Sequence, residues 1–350
     1  MNDSYGNAQS NIETFHANGG IFLSDCSSLS LPKEALLIYI RTVVQASLMF
    51  IAVLMNITII AVVCCTKNLR TVTHFFISSL ACSDLITASI IFACSCIVIS
   101  SLSGNRTCGL TASLVCFKGF LTFFSVTSSI GNHLLISIER WLYIARPFLH
   151  QRIINPRTTT GCVISMWVIS FLFNINVLFD RCGSVKFSTR VNNGIVKPAL
   201  NFFLCFLMCI IYSHIAFISY QQVKTINKLR VTSGCTEDET VLKTRTLVTM
   251  RWKTIRMLTT VFGVYFILVP PLFCIDIYAY AADQSIYDTF FGKIVNLIWS
   301  VHCCLNVCIY AAQDRVFRNA LKTVLQKKCN VCCRRNVHPD TTFSCGTIKM

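Results

Sequence analysis

Charge is what this chain of 350 residues has least of: Asp, Glu, Lys and Arg together make up 13% of it, against 54% hydrophobic residues. That balance lies outside the range of soluble globular domains, and few of the charges fall inside the apolar runs. Acidic residues are the scarcer kind, 15 against 31 Lys and Arg, which leaves a net charge of +16. The basic residues do not interleave with aromatics in one patch, which argues against nucleic acid as a partner. The chain lacks the basic-then-apolar start of a cleavable signal peptide, so the first apolar span is expected to serve as the insertion signal. There is no detectable internal repeat and no matched pair of Gly- or Pro-broken helices, features a secondary transporter usually shows. His74, His133 and His302 fall in apolar spans, but no His-Glu-x-x-His spacing or Gly-x-Ser-x-Gly elbow accompanies them, so an intramembrane enzyme is disfavoured. Twenty-one cysteines suggest a disulfide scaffold at first sight. Most, such as Cys64, Cys94 and Cys205, lie in apolar spans, where a thiol behaves as a small hydrophobe.

What the chain does have is long apolar runs. A helix needs about 20 such residues to cross the hydrocarbon core, and seven segments qualify: 36–65, 72–102, 113–143, 158–180, 198–223, 254–281 and 288–312. The expected fold is an all-α membrane protein, a seven-transmembrane helix bundle over 36–312 behind an N-terminal tail at 1–35. Connections are short except after the fifth span, where a Lys-, Arg- and Thr-rich loop carries Glu237-Asp238-Glu239. Residues 313–328 place Val316, Phe317, Ala320, Leu321, Val324 and Leu325 at helical spacing among basic residues, which predicts a short amphipathic eighth helix on the membrane surface. Residues 329–350 form the tail, its last 20 residues expected to be disordered. Lys and Arg concentrate in alternate loops and in the C-terminal segment, so the positive-inside rule puts the N-terminus outside and the C-terminus in the cytosol. Two glycosylation sequons, at Asn2 and Asn105, then fall outside.

Polar groups inside apolar helices are expensive unless they are used. Asn56 lies midway along the first span. Asp84 is roughly 18 Å into the second at 1.5 Å per residue, Ser129 is in the third and Asn306 in the seventh. A lone intramembrane Asp needs a partner or a cation, and a structural hydrogen-bond hub is the bland alternative. Glu139-Arg140-Trp141 sits where the third span leaves the membrane. On its own, Arg140 could be a snorkelling residue that marks the membrane edge.

The set and its order are more telling. Asn56, Leu80-Ala81-Cys82-Ser83-Asp84, Glu139-Arg140-Trp141, Trp167 in the fourth span and Asn306-Val307-Cys308-Ile309-Tyr310 resemble the rhodopsin-like (class A) G-protein-coupled receptors, in divergent form, over about residues 36–328. The resemblance implies a plasma-membrane receptor that takes an extracellular ligand and activates a heterotrimeric G protein. Glu139 would hold Arg140 at rest, and Arg140 would meet the G protein when active. Tyr310 would swing toward Arg140 and Tyr212. Pro147-Phe148 resembles the loop pair whose bulky residue enters a pocket on the G protein. Asp84, Ser129 and Asn306 resemble a sodium pocket, with no other metal or cofactor implied. Cys116 and Cys182 resemble the disulfide that ties the third helix to the second outer loop, although Cys108 or Cys26 could compete for Cys182. Cys329, Cys332 and Cys333 read as palmitoylation sites within reach of the membrane lipids, with a zinc site including His338 as the alternative.

Departures from the family pattern are equally visible. Leu204 and Val307 stand where prolines are usual, Val269 stands at the toggle tryptophan, and Arg251 replaces an acid that in some relatives clamps Arg140. Weak restraint of the resting state, hence basal signalling, is one expectation. A non-signalling or decoy receptor of the same fold is the other. Amine receptors of the family pair their ligand with an Asp where this chain has Thr122. The candidate pocket, chosen by position, is Lys118, Thr122, Phe123, Val269 and Asp276. Lys118 suits an anionic ligand group or snorkelling equally well.

Overall fold

The computed structural model describes residues 32–102, 112–179, 191–232, 256, 259–282 and 290–335, and every regular element among them is a helix. Six helices are long and apolar enough to cross a membrane, within Leu36–Cys65, Val72–Ser101, Phe117–Ala145, Pro156–Leu178, Asn192–Gln222 and Thr259–Ala281. A seventh long helix is Phe290–Gln313. Among the described residues its apolar stretch is Leu297–Gln313.

Helix boundaries follow from local chemistry. The fourth span starts at Pro156, whose missing N–H falls at a position that needs none, and Asn155 caps it by accepting from the Thr158 N–H at 2.9 Å. The sixth span breaks at Val269 and resumes as Pro270–Ala281, because two consecutive prolines remove two ladder donors. Two helices run further than expected. The fifth continues to Thr232, and the surface helix covers Arg315–Arg335, which places Cys329, Cys332 and Cys333 within a helix rather than in a disordered tail. Neither extension contains Gly or Pro, so nothing stops propagation once the helix has formed.

The interior is apolar, with a minority of hydrogen-bonded polar groups. One cluster gathers Met208, Tyr212, Phe262, Tyr265 and Trp299, and another gathers Ile59, Leu80, Val261, Tyr310 and Phe317. Outward-facing Ile169, Leu172, Phe203, Phe206 and Ile267 are exposed, as lipid-facing positions must be. Polar contacts tie the helices at fixed heights. Trp167 donates to Ser79 Oγ at 2.9 Å, Thr87 donates to Ser125 at 2.6 Å, and Asn56 Nδ2 donates to the Cys303 carbonyl at 3.1 Å. Where the seventh helix turns into the surface helix, Asp314 Oδ1 accepts from the Val316 and Phe317 N–H groups at 2.8 and 3.1 Å. Its other oxygen meets His74 Nε2 at 3.3 Å. Burial alone would raise the Asp314 pKa, but these bonds outweigh it and hold the carboxyl below its ordinary range.

Candidate functional site

Two polar assemblies occupy the bundle at different heights. The first lies at the end of the third helix. Glu139 and Arg140 are 3% and 9% exposed, and the Arg140 guanidinium forks onto the carboxylate, Nε to Oε2 at 2.7 Å and a terminal nitrogen to Oε1 at 3.2 Å. The loop helix Pro147–Ile153 supplies a third contact, His150 Nε2 to Glu139 Oε1 at 3.1 Å. Arg140 also stands 5.4 Å from the Tyr143 ring centre. The arginine is thus closed against its own helix. Trp141 faces outward from this pair and donates Nε1–H to His214 Nδ1 of the fifth helix at 2.9 Å. Phe148, one residue into the loop helix, is 87% exposed, a placement that burial cannot explain.

Tyr310, expected to swing toward Arg140 and Tyr212 on activation, is buried, as is Tyr212. Tyr212 stacks on Phe262 with ring centres 4.8 Å apart, and Tyr310 packs edge-on against Phe317 at 6.1 Å. Arg251 lies outside the described residues, as do Asn2, Cys26, Asn105, Cys108, Cys182 and His338. Cys116 lies on the third helix, and its pairing with Cys182 falls outside the described residues.

The second assembly surrounds Asp84, 1% exposed. Ser129 donates to Oδ1 at 3.2 Å and Asn306 Nδ2 donates to Oδ2 at 2.6 Å, so second, third and seventh helices converge on one carboxylate. Asn56 approaches through the seventh-helix backbone. His302 and Cys303 add donor atoms that lie within 4.8 Å of an Asp84 oxygen and of each other. Above them, His133, Tyr265 and His302 form a buried ring cluster, with centres 4.5 Å apart for His133–Tyr265 and 5.2 Å for Tyr265–His302. Val269 is buried among the same helices. The sequence pattern assigned His133 and His302 no role beyond the missing metal spacing, because the contact between them is purely tertiary.

The contacts of the candidate ligand residues lie on different helices. Lys118, half-buried, has its electrostatic neighbours on the first two helices, Arg41 and Cys94. Phe123 instead faces the fifth helix, with the Lys197 ammonium 4.5 Å from its ring centre. Thr122 Oγ1 is buried with no hydrogen-bond partner, and Asp276 is half-buried on the sixth span. Sequence reasoning missed Lys197, which reads as a span-edge residue there, along with His150 and His214.

Comparison with known proteins is consistent with this arrangement. The family described as 7 transmembrane receptor (rhodopsin family) matches residues 55–310. The chain is similar to the histamine H2 receptor of Cavia porcellus, 26% identical over 314 residues that cover 85% of this chain and 80% of that protein. It is similar to the alpha-1A adrenergic receptor of Homo sapiens, 24% identical over 342 residues, 87% of this chain and 72% of that one. Melanopsin-A of Gadus morhua is 25% identical over 294 residues, 80% of this chain and 50% of its own length.

Proposed function

Because the chain belongs to the rhodopsin family of seven-transmembrane receptors, we propose that it couples an extracellular ligand to a heterotrimeric G protein through Arg140. It is a multi-pass membrane receptor and not an enzyme. The carrying observation is the closed Glu139–Arg140–His150 group beside the exposed Phe148. A buried guanidinium satisfied within its own helix is a latch: it must exchange partners to meet another protein. Phe148 is a ready anchor for that protein. In this reading the Arg140 end faces the cytosol, the N-terminus is outside, and the membrane is the plasma membrane. Ligand binding favours the state in which the sixth helix swings away, and the energy is the ligand's differential affinity for the two states. Cys116–Cys182 would restrain the outer loop in an oxidising compartment, Asn2 and Asn105 would carry glycans, and Cys329, Cys332 and Cys333 would take palmitate.

Asp84 belongs to the same reading as a cation site. Ser129 and Asn306, which donate to its carboxylate, are neutral, so one bound monovalent cation would balance its charge. When bound, sodium would supply charge neutralisation that favours the resting packing. His302 and Cys303 are softer donors, so the chemistry of this pocket is less purely oxygen than a sodium site needs. Two of the similar proteins are named histamine and adrenergic receptors. Thr122 in place of the amine-pairing Asp removes the ammonium partner, so this chain's ligand is not read as a simple amine.

A second reading, a non-signalling receptor of the same fold, is favoured by Val269 and Val307 at positions the family gives to tryptophan and proline. A set of chimeric G proteins that differ only in the C-terminal receptor-binding peptide separates the two. The signalling reading expects at least one chimera to give ligand-free output above that of cells without the receptor. Output equal to those cells for every chimera, both without ligand and with a broad ligand panel, at verified surface expression, would overturn the signalling reading in favour of the decoy.

A further inference from the structure

The fifth helix does not begin as an ordinary α-helix. Residues Asn192–Val196 form a π turn, in which the Lys197 N–H bonds to the Asn192 carbonyl. Such insertions are rare and concentrate at functional sites. One extra residue in the turn rotates the downstream side chains about the helix axis, and the first of these is Lys197, 2% exposed. The π turn is also clamped from outside the helix. A Cβ on Gly194 would lie 2.6–2.8 Å from Cβ, Cγ and Cδ2 of Tyr280 on the sixth span, so only glycine permits this approach.

Among the described residues, the lysine delivered into the bundle has no hydrogen-bond partner for its ammonium. Its company is aromatic: the ring centres of Phe123 on the third helix and Phe173 on the fourth lie 4.5 and 5.8 Å from Nζ. Phenylalanine faces attract a cation by about 2 kcal/mol when desolvated. Removing an ammonium from water costs several kcal/mol even after relaxation, so two rings leave a deficit. Among the described residues, Asn193 Oδ1 on the π turn is likewise buried and unpartnered, and Asn201, one turn beyond Lys197, is buried on the same helix. A buried cation and flanking phenyl rings are the complement of a group with one negative charge and an apolar body.

We propose that Lys197, with Phe123 and Phe173, forms the anion subsite of the ligand pocket and that the ligand is an amphipathic monocarboxylate. The carboxylate pairs with the ammonium, while the apolar part lies against the rings. One lysine balances one charge; a phosphate dianion would leave half its charge unpaired in a desolvated site. This subsite rests on the reading of the chain as a ligand receptor, but it does not depend on coupling to a G protein.

The test uses the purified full-length receptor in lipid nanodiscs and follows its thermal unfolding, which reports binding without any signalling step. Probes are phenylacetate and decanoate at millimolar concentration, each beside its primary amide. Lys197→Met, which keeps the stem and drops the charge, is expected to raise Tm of the unliganded receptor by about 2–4 °C, since an unpaired buried charge is removed. Carboxylates should raise Tm of the wild type while their amides do not, and the rise should vanish in Lys197→Met. A lower Tm for unliganded Lys197→Met would mark a structural lysine and overturn the proposal. Equal stabilisation by carboxylate and amide, or no stabilisation by either carboxylate, overturns it as well. A decoy receptor would still pass, so failure here is separable from failure to signal.

Discussion

Glu139→Gln removes one negative charge and little else, so it probes the Arg140 latch with minimal change of shape. In the structure the carboxylate accepts two bonds from Arg140, at 2.7 and 3.2 Å, and one from His150 at 3.1 Å. Glutamine keeps one acceptor oxygen, but its amide N–H₂ points at donors, so one charge-assisted bond and the ion pair are lost together. Hydrogen bonds to charged groups are worth about 1.5–3 kcal/mol each, and the pair is buried, so screening by solvent is weak. A loss of about 2–3 kcal/mol confined to the resting state shifts the two-state equilibrium roughly 30- to 150-fold. If the active state holds about 1% of the unliganded population, Glu139→Gln raises it to between a quarter and roughly 60%. Ligand-free second-messenger output at matched surface expression reads this directly, and it should rise many-fold. His150→Ala forfeits a single hydrogen bond, about 1 kcal/mol, and should give a rise of roughly fivefold. Unchanged or lower output from Glu139→Gln, with normal surface expression, would refute the idea that this pair restrains the resting state.

Other residues make separate predictions. Ser79→Ala strands the Trp167 indole N–H, which donates to it at 2.9 Å, and should destabilise the purified receptor by about 1–3 kcal/mol in thermal unfolding. Gly194→Ala places a methyl against Tyr280 and should sharply reduce folded receptor at the cell surface. Gly161→Ala, with nothing within 4 Å of the added atom, should be neutral or stabilising by up to about 1 kcal/mol. Asp314 titrates below its ordinary range when folded, so its stabilising contribution is present above the unfolded value, near pH 4, and is lost as pH falls through the folded value. Asp314→Asn should remove that part of the acid sensitivity of Tm while largely keeping the helix cap; an unchanged acid profile would contradict the assignment.

How much of this was visible in the sequence differs from element to element. Apolar runs located the bundle because crossing hydrocarbon imposes both length and composition. They placed most span ends within a few residues of the helices. Asp84, Ser129 and Asn306 do meet, since intramembrane polar groups have few other places to go. The fifth and surface helices ran past their apolar stretches because hydropathy reports burial in lipid, whereas helix ends depend on breakers and caps. Lys197 escaped notice for a geometric reason: its inward aim comes from a π turn, which has no hydrophobic period. Lys118 was the natural choice by position, yet its charged neighbour is on the first helix. His150 and His214 were invisible because each meets its partner, Glu139 or Trp141, across a loop or between helices, a contact that no local pattern encodes.

The central claim is that Arg140 carries activation to a G protein, and nucleotide exchange tests it most directly. Purified wild type, Glu139→Gln and Arg140→Ala would be placed in nanodiscs with the G protein selected by the chimera assay, and GTP-analogue uptake followed without ligand. Uptake above empty nanodiscs is expected for wild type, faster uptake for Glu139→Gln, and a return to the empty-nanodisc rate for folded Arg140→Ala. Uptake by Arg140→Ala equal to that of wild type would contradict the claim.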